Sequence, residues 1–453
     1  MQENKMGVMP VKKLIVNMSV PMMISMLVQA LYNVVDSIFV AMLSENALTA
    51  VTIAFPLQNL MISVGAGTGV GINAMLSRAL GEKKFEKSDS AANAGVLLAF
   101  FSALAFLIIG LTCTVPFINT QTNDPKIRQL GYTYLRIVTT IGIGVFMQIT
   151  FERLLQSTGR TMLSMASQIT GAVINIIFDP VFIFGIGVFP KMGVAGAAYA
   201  TVMGQCIAAC LGLFLNLRFN SELHFSLKKI ITPHARVIGR IYAVGVPSIL
   251  MMAIGSVMTY CMNMILKAFS STAIAVFGAY FKLQSFFFMP VFGLNNGMIP
   301  VLAYNLGAKK EDRINEALRF ALKLAVAIML CGTLVFELFP RQLLSLFSPS
   351  AEMIRMGIPA LRTIAIHFPI AAFGIVMGSI FQAFSRSIYS LFVSLGRQLV
   401  ILVPAAWLLA QTGNVNNVWW CFLIAEGVSF TLSLIFFKKV YREEITERFK
   451  SVK

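Results

Sequence analysis

The chain has 453 residues, 57% of them hydrophobic and only 12% charged, with a formal net charge of +17. A soluble domain carries about 25% charged residues, so the composition excludes an ordinary soluble protein. Nucleic-acid binding is not predicted either, because the basic residues concentrate in alternate polar gaps between apolar runs rather than in one patch.

Twelve apolar runs follow one another, starting near Leu14, Ala47, Ala91, Lys126, Met162, Gly193, Val237, Ser271, Arg313, Met353, Ile388 and Val415. Each matches the roughly 20 residues an α-helix needs to cross a ~30 Å hydrocarbon core. The fold class predicted is an all-α membrane protein of twelve transmembrane helices. The first run, Leu14 to Leu43, is too long for a signal-peptide core, holds an acid and lacks a small-residue cleavage site, so it should stay as the first span. Lys12, Lys13, Arg78, Lys83, Lys84, Lys228, Lys229, Lys309, Lys310, Lys438 and Lys439 all fall in gaps on one side. By the positive-inside rule that side is cytoplasmic and holds both termini. Six cysteines lie in or beside spans with no Cys-x-x-Cys pair, so neither disulfides nor a zinc site are predicted.

Polar residues form stripes within the first half. In the first span Ser25, Gln29, Asn33 and Asp36 step by four, four and three, which keeps them on one helical face. Gly65, Gly67, Gly69 and Gly71 alternate through the second span, a spacing suited to close helix packing. In the fifth span Gln168, Asn175 and Asp179 share a face, and in the sixth Ala197, Thr201 and Gln205 do. A charged side chain at the centre of a bilayer costs at least about 2.5–3.5 kcal/mol, so Asp36 and Asp179 are predicted to serve a proton, an ion or a charged ligand. Pro180 directly follows Asp179 and deprives the Ile176 carbonyl of its helical donor, leaving a free oxygen beside a carboxylate.

The second half repeats the first. Shifted by 226 positions, Val20-Pro21 falls on Val246-Pro247, and Phe55, Leu57 and Gln58 fall on Phe281, Leu283 and Gln284. Gly67 and Gly71 fall on Gly293 and Gly297, Leu80-Gly81 on Leu306-Gly307, and Gln156 and Arg160 on Gln382 and Arg386. Each half holds an even number of spans, so both run in the same sense and a pseudo-twofold axis along the membrane normal is predicted. The expected domains are 1–226 and 227–453, two six-helix lobes around a central cleft. The acids are not repeated, since Asp36 falls on Met262. Lys282 lies in mid-span of the eighth helix, and Phe286, Phe287 and Phe288 follow it as candidates for lining the cleft. Glu426 and Arg397 are read as a structural pair.

Pro21, Tyr32-Asn33-Val34-Val35-Asp36, the Leu80-Gly81 loop with its basic tail, Gln156-Ser157-Thr158-Gly159, Asn175-Ile176-Ile177-Phe178-Asp179-Pro180 and Gly193-Val194-Ala195-Gly196-Ala197-Ala198 together resemble the multidrug and toxic compound extrusion (MATE) family, in order, spacing and duplication. The resemblance covers nearly the whole chain. It implies a bacterial inner-membrane antiporter, a monomer without cofactor, that exchanges small-molecule drugs and lipophilic cations for H⁺ or Na⁺ within the lipid bilayer. It also implies a cation site in the amino-terminal lobe formed by Asp36, Asn175, Asp179, the Ala197 carbonyl and Thr201, with no metal beyond a Na⁺. Gln29, Asn33, Gln168, Gln205 and Pro180 would support it. Two other readings stay open. A lipid-linked oligosaccharide flippase would need a basic cleft, for which Lys282 is the only central base. An intramembrane aspartyl protease would need two aspartates in contact, and no Gly-x-Gly-Asp is present.

Overall fold

The computed structural model describes residues 4–347 and 349–447, without the side chain of Glu45. The extreme termini, whose side of the membrane the charge pattern predicts, lie outside those residues. Among the described residues ten helices are long and apolar enough to cross a bilayer, and two bent pairs bring the number of spans to twelve. These are Val11–Ala41, Asn46–Gly81, Phe85–Thr112, Pro125–Thr140 with Ile143–Ser157, Thr161–Phe184 and Val194–Phe219 in the first half. In the second half they are Ala235–Lys267, Ser271–Gly307, Glu311–Leu338, Ala351–Ala365 with Phe368–Ala383, Ser387–Ala410 and Val415–Glu447. Each begins within a few residues of a predicted start, and the structure is helical throughout, with no strand among the described residues.

The internal repeat extends to local geometry. Ser44 and Ser270 cap the second and eighth spans, their side chains accepting the amides of Ala47 and Ala273 at 3.1 Å. Such caps satisfy a helix-end donor that hydrocarbon cannot. Those two spans end alike, with Lys83 and Lys309 in left-handed backbone at φ 57° and 56°. The next amides close on Ala79 and Asn305 at 2.9 Å. The fourth span bends by 47° and the tenth by 48° at equivalent breaks. At the second break His367 Nδ1 contacts the Ile364 carbonyl, an acceptor the interrupted helix leaves without its regular partner.

The described residues pack into two compact units, Asn4 with 24–249 and residues 5–23 with 250–347 and 349–447. Both the first and the seventh span therefore divide between units. Within the first unit the segment after Ala235 lies on glycines of the second span, where a Cβ on Gly71 would meet the Ile241 carbonyl oxygen at 2.1 Å and one on Gly67 would meet Ile249 at 2.4 Å. Within the second unit Met23 and Ser19 lie on Gly293 and Gly297 in the same manner, at 2.5 and 2.6 Å. Lipid tails are as apolar as leucine, so packing inside a membrane rests on such close approach rather than on removal of surface from water. The first unit is filled by a cluster that includes Ala54, Met61, Phe106, Tyr134, Phe146, Ile183 and Ala197. The second is filled by aromatic residues, Phe277, Tyr280, Phe336, Phe368, Trp419 and Phe422.

Gly71→Ala should lower the stability of the purified protein by about 1–3 kcal/mol, because a backbone atom rather than a flexible side chain occupies the space. Gly278→Ala, where a Cβ meets nothing within 4 Å, should not lower it. Unfolding midpoints of the two variants side by side check this, and equal midpoints contradict the packing described.

Candidate functional site

The fifth and sixth spans form the floor of the site. Gly185 ends the fifth helix at φ 74°. Met192 and Gly193 then return amide hydrogen bonds to the Phe182 and Ile183 carbonyls at 3.0 and 3.1 Å. The sixth helix starts so close that a Cβ on Gly196 would fall 2.5 Å from the Phe182 backbone. Farther along, Gly171 and Gly204 touch reciprocally, each Cβ position 3.0 and 2.6 Å from the other's carbonyl oxygen. These contacts leave no room for slippage between the helices, and Asn175, Asp179, Ala197 and Thr201 lie between them.

Asp179 and Ala197 are fully buried, and Asn175 and Thr201 nearly so. The Asn175 amide bridges the two helices. Its nitrogen lies 3.3 Å from Asp179 Oδ2, and its oxygen accepts from Thr201 N–H at 3.1 Å and from the Thr201 hydroxyl at 3.2 Å. In a regular helix the Thr201 amide belongs to the Ala197 carbonyl, so that carbonyl shares its donor. Pro180 continues the fifth helix without a donor of its own.

The first span supplies the other wall. The carboxyl of Asp36 comes within hydrogen-bonding reach of that of Asp179. Its Oδ1 is buried without a hydrogen-bond partner. About two turns back along the first span, Gln168 Nε2 donates to Gln29 Oε1 at 3.3 Å, so the stripes of the first and fifth spans meet at a second point. Neither carboxyl has a cationic partner among the described residues.

Not every predicted residue joins this cluster. Asn33 is exposed, and Gln205 is half-buried with its Oε1 unpartnered. Lys282 is exposed, 6.0 Å above the Phe347 ring, with no carboxylate partner among the described residues. Phe286 is exposed too, whereas Phe287 packs on Phe336 at 6.1 Å and Phe288 stands edge-on to Phe368 at 5.3 Å. Two residues that sequence reasoning passed over lie near the carboxyls. These are Tyr32, one turn before Asp36 on the same helix, and buried Tyr134, whose hydroxyl donates to Gln58 Oε1 at 3.4 Å. The signal for Tyr134 was a phenol on the apolar face of the fourth span that Gly131, Leu135 and Val138 define.

In the second half, the eleventh and twelfth spans carry an ion pair between Arg397 and Glu426 at 3.2 Å, with Glu426 buried. Removing the arginine alone strands a buried acid. Arg397→Met should therefore cost about 3 kcal/mol, while Arg397→Met with Glu426→Leu should return to within about 1 kcal/mol of the parent. Denaturant unfolding of both variants decides, and a neutral single variant contradicts a structural role.

Residues 21–181 and 247–408 each match the family model MatE, the same region twice. The chain is 26% identical over 431 residues to the multidrug export protein MepA of Staphylococcus haemolyticus (strain JCSC1435), covering 93% of this chain and 92% of that one. It is 24% identical over 424 residues to the MepA of Staphylococcus aureus (strain MSSA476), covering 92% of each. An outward-facing multidrug resistance MATE family transporter of the MOP superfamily aligns with a TM-score of 0.91 at 25% identity, over 98% of this chain and 99% of that one. A MATE crystal structure in a straight conformation shares the fold, with a TM-score of 0.92 at 24% identity over 98% of this chain and 99% of that one.

Proposed function

Because the chain belongs to the MatE family, we propose that it exports lipophilic, mostly cationic small molecules in exchange for H⁺ or Na⁺, with Asp36 and Asp179 carrying the coupling ion. It is a multi-pass membrane transporter of the multidrug efflux type and not an enzyme, and transporters of this family need no cofactor.

One observation carries the coupling reading. Two carboxyls share one pocket in the first unit, and no Lys, Arg or His of the described residues pairs with either. Protein-supplied compensation is absent where the cost of a bare charge is greatest, so a mobile cation is the natural partner. A proton would sit between the two carboxyls. A Na⁺ would take oxygens from Asp36, Asp179, Thr201 and the Ala197 carbonyl. Asn175 then acts as a positioning residue, holding Asp179 through its nitrogen.

In the cycle we infer, the ion enters from outside, drug leaves, and the lobes 1–226 and 227–453 rock to expose the cytoplasm, where drug binds as the ion departs. Coupling requires the ion to bind the two states unequally. Exchange of one H⁺ for one monovalent cation moves no net charge. A second proton would add about 2.3 kcal/mol per 100 mV of membrane potential, and two carboxyls permit that stoichiometry. The protein acts as a monomer with both termini in the cytoplasm of a bacterial cell. The proximity of the two aspartates is also what an intramembrane protease would need, but family membership assigns transport. An isolated exposed Lys282 gives little support to a pyrophosphate-binding flippase.

Asp36→Asn and Asp179→Asn should each abolish concentrative efflux of a fluorescent lipophilic cation from proteoliposomes, with pH and Na⁺ gradients imposed separately. Drug binding and the unfolding midpoint should stay close to those of the parent. Normal gradient-driven efflux by either variant removes the coupling role.

A further inference from the structure

A second polar site lies at the beginning of the ninth span, inside the second unit. Lys12, Asp312, Asn315, Glu316, Arg319, Phe320 and Lys323 line a cavity of about 410 Å³. Asp312, Glu316, Arg319 and Lys323 follow at intervals of three or four and share one face of the helix Glu311–Leu338. Their charges are ordered by depth. The acids occupy the first two turns, and the bases follow one to two turns farther into the membrane, where a lone cation is costly. Side chains of a helix lean toward its N-terminus, so Arg319 and Lys323 reach back toward the water boundary, and Lys12 joins them from the start of the first span.

None of these five charged groups has an ion-pair partner among the described residues. The neighbouring groups are engaged differently. The Tyr441 hydroxyl takes the Asn315 amide N–H at 2.8 Å and donates to Glu311 Oε1 at 2.8 Å, closing one side of the cavity. Phe320 supplies an apolar wall. The site thus presents three exposed cations, Lys12, Arg319 and Lys323, and two exposed acids, Asp312 and Glu316, without ion-pair partners among the described residues, at the end of the ninth span where a bilayer's head groups would lie.

We propose that this cavity seats the head group of an aminophospholipid. Its phosphodiester lies among Lys12, Arg319 and Lys323, and its ammonium lies toward Asp312 and Glu316. A phosphodiester is the anion that lies at this depth in every bilayer, and charge-assisted hydrogen bonds from Arg and Lys suit its oxygens. The acids distinguish the ligand further. Ethanolamine carries its N–H donors on the water side of the phosphate, as the outer acids require. Glycerol offers no positive charge there, and choline offers a charge without donors.

Native mass spectrometry of delipidated full-length protein, titrated with short-chain phosphatidylethanolamine, phosphatidylglycerol, phosphatidylcholine or inorganic phosphate, tests this. Phosphatidylethanolamine should bind about fivefold or more tighter than the other lipids, and inorganic phosphate should not compete at equal concentration. Arg319→Gln with Lys323→Gln should weaken that binding about tenfold or more. Asp312→Asn with Glu316→Gln should keep phospholipid binding but lose the preference for ethanolamine. Circular dichroism identical to the parent shows that each variant is folded. Preference for phosphatidylglycerol, equal binding of inorganic phosphate, or unchanged affinity in the Arg319/Lys323 variant would each overturn the proposal.

Discussion

An acid in a membrane interior needs a positive partner, and at Asp36 and Asp179 the described residues supply none. Much of the first unit can be read from that constraint. The reciprocal contact of Gly171 with Gly204 and the seating of Gly196 on Phe182 hold the fifth and sixth helices in close contact, with no space for a side chain between them. Without that rigidity, helices bearing an uncompensated carboxyl could rotate it toward water or a distant cation, and the site would dissolve. Asn175 serves the same end by spending its donor on Asp179 and its acceptor on Thr201. Around it Phe106 packs on Phe146, and the Tyr134 hydroxyl donates to Gln58.

The two halves make a controlled comparison. Their backbones repeat down to a serine cap, a left-handed lysine and a bend of nearly equal angle. Their chemistry does not. On the helix where the first half places Asn175 and Asp179, the second half has Ile401 and Ala405. One turn away, where the first half has Gly171, the second has Arg397, which pairs with Glu426 of the twelfth span. The same architecture thus holds an acid with its counter-charge built in and acids without one. Only the second arrangement leaves a place for an ion that comes and goes, which locates the proposed coupling in one half despite a duplicated fold.

The spans, the repeat and the acid pair were legible because each is written in local pattern: apolar run length, a constant offset of 226 positions, and helical spacing of polar residues. The Gln29–Gln168 contact followed from the same spacing. Asn33 did not follow, since a stripe about 100° wide includes positions at its edge that turn away from the partner helix. Tyr134 was hidden by its apolar company, and Phe287 and Phe288 could not be assigned from composition because aromatic residues suit packing and cargo equally. The sharing of the first and seventh spans between units was invisible for a different reason. Helices that run unbroken give no sign of where their neighbours change, and the responsible residues, Gly67, Gly71, Gly293 and Gly297, show only that something approaches closely.

That sharing bears on how an ion site acts at a distance. The helix Val11–Ala41 is continuous, yet residues 5–23 pack with one unit and residues from 24 onward with the other. Pro21, just before the changeover, lacks the amide that would tie it to the Asn17 carbonyl, so the helix is softest where its allegiance changes. Asp36 lies about four turns beyond this point on the same rod. If the proposed ion binding at Asp36 shifts this helix by a few degrees, the shift has two outlets, rotation of the whole helix or bending at its softest turn. Rotation is opposed by the backbone of Met23 against Gly293 and by Ser19, through its hydroxyl and backbone, against Gly297. Bending is therefore the cheaper response. The seventh helix repeats the design with Pro247 and a changeover after Ile249, but it carries Met262 where the first carries Asp36, and so has the joint without the ion to drive it.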